Sequence, residues 1–146
     1  MALKDYQAPA KRTIKFPGGE FEVRGLNFAD VTRLLASRKD EMVLATIEFR
    51  AMTEDGAEPD TDTILAHMMA VVPDLLLDAI AYAADEPDSV GVARALPPEV
   101  QINALLAIGD LTFRDPGAIP DFLVGVTKIL KAMASNLQYV IPTQKN

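Results

Sequence analysis

The chain has 146 residues, enough for one ordinary domain that buries about two thirds of its unfolded surface. Apolar residues make up 49% and charged residues 24%, globular proportions that exclude a wholly disordered chain. The absence of cysteine excludes disulfides, thiolate chemistry and cysteine-held metal. A single histidine excludes any site built on two imidazoles, and a net charge of -7 argues against a protein that neutralises many phosphates.

The first dozen residues include Lys4, Asp5 and Gln7 and lack the apolar core of a secretory signal. They read as a flexible arm, 1–12, on a protein expected to stay in the cytoplasm. Thr13 to Val23 alternates around Pro17-Gly18-Gly19, with Ile14 and Phe16 before the turn and Phe21 and Val23 after it. This is the pattern of a short β-hairpin over 13–24, whose paired glycines permit the positive φ of a tight reversal. Its apolar face must pack on the domain's own helices or on a neighbouring subunit.

Asn27 as N-cap, with Asp30 in the first turn, starts a helical stretch running to Met52. Its apolar stripe is interrupted over Ser37 to Glu41, so one long helix or two shorter ones both fit. Thr53 to Asp62 is an exposed loop. Thr61 or Asp62 can cap a helix over 62–84 that Pro73 should kink or split. On a continuous helix at about 100° per residue, His67, Asp74, Asp78 and Asp85 fall within about 20° of one line. Such a narrow stripe is the polar side of a sandwiched helix. A metal reading fails on distance, because His67 and Asp74 stand two turns apart, roughly 10 Å, unless the proline folds the helix back.

A short apolar segment, 90–96, precedes Pro97-Pro98-Glu99, a helix start for 98–112. Pro120-Asp121 opens the last helix, 120–136, with Phe122, Val126, Ile129, Leu130 and Met133 in period and Lys128 and Lys131 facing out. A tail, 137–146, carries Tyr139, Val140 and Ile141 near the chain end. The expected fold is mainly α: one compact domain over 13–136 with about four to six helices and a short N-terminal β-hairpin. Methionines such as Met42, Met52, Met68, Met69 and Met133 serve core packing or adaptable contacts.

Charge is segregated along the chain. Residues 1–52 hold nine basic and seven acidic side chains, residues 53–93 none and ten, and residues 94–146 five and four. The acidic block is either solvated surface or a docking face for a basic partner, with Asp74, Asp78 and Asp85 as its candidate residues. Phe16, Phe21, Val23, Tyr139, Val140 and Ile141 are the candidate apolar surface for a partner or for self-association. No phosphate loop, nucleophile elbow or metal-binding histidine pair occurs in the sequence. The residues therefore point to a non-enzymatic interaction protein with no catalytic, cofactor-binding or metal residues.

Two stretches carry a family resemblance. One is Phe16-Pro17-Gly18-Gly19-Glu20-Phe21-Glu22-Val23-Arg24-Gly25-Leu26, leading into Phe28 and Asp30-Val31. The other is Leu96-Pro97-Pro98-Glu99-Val100-Gln101, followed by Ile108 to Phe113. Together they span most of residues 13–135 and resemble the tail assembly chaperones of long-tailed, siphovirus-like bacteriophages, encoded just before the tape measure protein. The resemblance implies a mostly helical protein that coats the tape measure protein, helps recruit tail tube subunits and is absent from the mature virion; the apolar surfaces predict self-association, and the net negative charge and the aspartates within 64–84 argue against nucleic acid and membrane as partners. In that family a ribosomal frameshift commonly makes a longer, partner-binding form. The end Gln144-Lys145-Asn146 can be encoded CAA AAA AAC or CAA AAA AAT, which contains a slippery heptamer. The rival expectations are a virion head-to-tail joining protein and, further off, a carboxylate-dependent enzyme.

Overall fold

The structure, a computed structural model, describes residues 2–113 and 118–140, the latter without the side chains of 120, 123 and 134–140. After a single 3₁₀ turn, Leu3–Asp5, strands β1 (Arg12–Phe16) and β2 (Gly19–Val23) form an antiparallel hairpin. Seven helices follow among the described residues: α1 (Phe28–Ser37), α2 (Lys39–Thr53), α3 (Thr61–Val71), α4 (Pro73–Ala83), α5 (Val90–Ala95), α6 (Pro98–Thr112) and α7 (Ala118–Val140). The mainly α fold with an N-terminal hairpin is the one expected. The count rises to seven because both long stretches divide, at Arg38 and at Val72.

The hairpin register pairs Ile14 with Phe21 and Phe16 with Gly19, leaving Pro17-Gly18 as the turn. Only Gly18 has the positive φ, 93°. At Gly19 a Cβ would stand 2.8 Å from Phe16 Cζ, so the Phe16 ring lies over this glycine and would have to shift to admit a side chain. Ile14 and Val23 turn inward and pack with Ile80, Val100, Ala104 and Ile108 of α4 and α6. The hairpin thus covers the domain's own helices. Val23 is fully buried there, so it belongs to the core and not to a partner surface.

At α1, Asn27 and Asp30 form a reciprocal capping box: Asp30 N–H donates to Asn27 Oδ1 and Asn27 N–H donates to Asp30 Oδ2, both at 2.9 Å. The cap of α3 lies one residue earlier than expected, since Asp60 rather than Thr61 or Asp62 accepts from the Thr63 N–H at 2.8 Å. Pro73 occupies the first position of α4. Without a backbone N–H it can start a helix but cannot continue α3, and α3 and α4 meet at 115°. The polar stripe drawn on a continuous helix therefore does not exist in space. No single described helix is long and apolar enough to cross a membrane.

Two apolar clusters share α4. One lies under the hairpin against α5 and α6. The other gathers Leu34 and Leu35 of α1, Met42 and Phe49 of α2, Met68 of α3, Leu75 of α4 and Ile119, Val126 and Leu130 of α7. Met42 and Met68 are thus core residues. The backbone at Gly25 passes so close to α6 that a Cβ would sit 2.7 Å from the Leu111 carbonyl oxygen, which fixes the hairpin exit against the end of α6.

Candidate protein interaction site

The acidic residues singled out in the sequence each pair with a cation of the chain itself. Asp78 is 5% exposed and accepts from Arg38, Nε to Oδ2 at 2.7 Å. Asp74 pairs with Arg94 at 2.8 Å, and Asp85 with Arg24 at 2.8 Å and Lys11 at 3.9 Å. All these cations lie outside the 53–93 block, so folding brings charge of opposite sign onto the acids that the sequence leaves uncompensated. His67 of α3 meets Glu48 of α2, Nε2 to Oε2 at 2.8 Å, and among the described residues no three His, Asp or Glu side chains gather as a metal site.

The partners Arg24 and Arg38 escape sequence reading because their pairs with Asp30, Asp78 and Asp85 cross 6, 40 and 61 residues. Arg24 donates to Asp30, Asp85 and the carbonyls of Gly25 and Tyr82. Its guanidinium pKa is raised, first by the hydrogen bond to Asp30 and then by Asp85, against the opposing cost of burial. Arg38, raised chiefly by its hydrogen bond to Asp78, also reaches Glu41 at 3.2 Å. Glu41 in turn accepts from the Leu75 N–H at 2.9 Å, so an α2 carboxylate caps the first turn of α4. These clusters are structural: they lock α1, α2 and α4 together.

The open apolar surface lies elsewhere, in a groove of about 760 Å³ between α1 and α7. Val31 and Leu35 line one wall, Gly125, Val126, Ile129 and Met133 the other, and Phe113 and Phe122 close one end with rings edge to face at 5.3 Å. Phe28 stands at the rim, 82% exposed. The groove exists because α7 rests on α2 and because Gly125 carries no side chain, with nothing within 4 Å of where its Cβ would lie. Three polar side chains in the wall are engaged with the chain: Asn27 caps α1, Thr112 Oγ1 accepts from the Leu26 N–H at 2.9 Å, and Thr32 Oγ1 donates to the Phe28 carbonyl at 2.9 Å, while the exposed carboxylate of Asp121 also lines the groove. A ligand meets mainly hydrocarbon, the chemistry of an apolar helix face in a groove.

Of the apolar candidates from sequence, Phe16 and Phe21 are half-buried, their rings 6.0 Å apart, and line a separate cavity of about 250 Å³ beside Val92 and Leu96. Tyr139, Val140 and Ile141 lie outside the residues whose side chains are described. The α1–α7 groove was not singled out. Its signal was present in the apolar period of the last helix, which supplies more apolar positions than the core uses, with Ile129 of the groove wall left 44% exposed.

The fold thus presents an apolar groove on a mainly helical domain whose charge clusters hold its helices together. Residues 1–145 match the pre-tape measure protein family, and the chain belongs to it. That membership makes it a phage tail-related protein associated with the tape measure protein. No curated protein and no solved structure matches the chain.

Proposed function

We propose that the chain is a non-catalytic tail assembly chaperone that holds an apolar helical segment of the tape measure protein in the α1–α7 groove until tail tube subunits replace it. The observation that carries this reading is the groove, an apolar channel with its polar wall atoms largely satisfied, on a member of a family named for the tape measure protein. A long helical partner with apolar stripes aggregates when exposed, and a groove that offers hydrocarbon without competing donors shields it. In this reading the protein acts in the host bacterial cytoplasm, self-associates while coating its partner, is absent from the finished virion, and contributes its fold to a longer frameshifted form that contacts the tail tube.

Co-expression tests it. The tape measure protein should be soluble and co-purify when made with this chain, and should aggregate when made alone. Mass spectrometry of purified particles should find no copy of the chain. A stoichiometric copy in mature particles, together with tape measure protein equally soluble in its absence, overturns the reading in favour of a virion joining protein.

A further inference from the structure

On the face of α7 opposite the groove, a second cavity of about 480 Å³ lies between α7 and α2. Its wall carries Arg50, Lys128 and Lys131, all exposed and none in an ion pair among the described residues. Lys11, Arg12, Arg24, Arg38 and Arg94 do find carboxylate partners, whereas Lys4, Lys15, Arg33 and Lys39 also have no ion pair among the described residues but do not line this cavity. Glu58 lies in the same wall, and Glu54 and Asp55 stand a few residues before it, where the loop turns at Gly56 with φ 78°. These three carboxylates are also exposed and without an ion pair among the described residues. Unmatched base and an unmatched acid, Glu58, thus line one cavity, with Glu54 and Asp55 close by along the chain.

We propose that this face is a self-complementary electrostatic patch through which two copies of the chain pair about a twofold axis, the acidic loop of each over the cationic cavity of the other. A twofold interface presents the same surface from both sides, so a patch carrying acid beside base satisfies itself twice over. A chain of net charge -7 repels its copies on average, and association at this face requires just such local matching. The proposal rests on the chaperone reading for its place in assembly, because it names the surface through which that self-association begins. It leaves the groove on the opposite face of α7 open in both copies.

Sedimentation velocity of the full chain tests it, since exposed pairs are screened as the Debye length falls from roughly 10 Å at 0.1 M salt to about 3 Å at 1 M. The expected result is a dimer at low salt whose dissociation constant weakens at least about tenfold by 1 M. The charge-reversed variants R50E/K128E/K131E and E54K/D55K/E58K, both with native circular dichroism, should each be monomeric at low salt. Mixed in equal amounts they should form a heterodimer. A wild-type monomer at low salt, or a dimer indifferent to salt and to both reversals, overturns the proposal. Binding of the tape measure protein is measured on the same samples. Retained binding by monomeric variants leaves the chaperone reading intact. Loss of that binding in R50E/K128E/K131E alone, with no dimer in the wild type, assigns the cavity to an acidic segment of the tape measure protein and overturns the second-copy assignment.

Discussion

Arg24 grips Asp30 with two hydrogen bonds, Nη1 to Oδ2 at 2.6 Å and Nη2 to Oδ1 at 3.3 Å, and Asp30 is 3% exposed. The same carboxylate closes the capping box of α1, so one buried group is both helix cap and ion-pair partner. Arg24→Ala leaves that charge uncompensated and should destabilise the fold by about 3 kcal/mol, the scale for breaking a buried pair. Arg24→Lys keeps the charge but not the fork that serves Asp30, Asp85 and the Tyr82 carbonyl together, and should recover only part of the loss. Urea denaturation followed by circular dichroism reads both.

Asp85 terminates α4 at φ 59°, a conformation that costs a non-glycine residue, while its carboxylate meets Arg24 and Lys11. The hydrogen bond from Arg24 leads the effects that hold its pKa below the ordinary carboxylate value. A depressed folded pKa stabilises above the unfolded value, and that contribution is lost as pH falls through the folded one. Asp85→Asn, which tolerates the same backbone, should therefore be less stable than wild type near neutral pH by under about 1 kcal/mol, because the group is half exposed. The difference should begin to shrink as pH falls below about 4, the ordinary range for an aspartate, and vanish only once pH lies below the depressed folded value. Urea midpoints of the two proteins between pH 3 and neutrality, an interval of roughly four units spanning that range, test this.

At the α1–α2 break, Arg38 holds Asp78 and Glu41, and Glu41 caps α4 through Leu75. Glu41→Ala should cost about 1 to 2 kcal/mol as the loss of a charged cap. Arg38→Ala should cost more, since it strands the buried Asp78. The two losses should be non-additive by at least about 0.5 kcal/mol, because the residues share one network, as a double-mutant cycle will show.

These clusters mark the boundary of what the sequence made legible. The hairpin, the Asn27 cap and the Pro73 break follow from local chemistry: a glycine free at positive φ, a side chain three residues from its N–H, a ring without a donor. The acidic stripe failed because it assumed a continuous helix, and a single residue at ψ 57°, Val72, turned α4 away by 115°. The arginines that neutralise Asp74, Asp78 and Asp85 arrive from distant segments, which no periodicity encodes. The groove depends on the relative placement of α1 and α7, and only the surplus apolar positions of α7 hinted at it.

The groove itself is tested most directly at Gly125, where a side chain meets open space on its own chain and would fill the channel. Gly125→Leu should raise stability by up to about 1 kcal/mol through helix propensity, so any loss of function cannot be ascribed to unfolding. The decisive measurement is the affinity of this variant for the tape measure protein beside that of wild type, by calorimetry or pull-down. At least about a tenfold loss, corresponding to about 1.4 kcal/mol, is expected with the fold intact. Unchanged binding by a stably folded Gly125→Leu protein would contradict it.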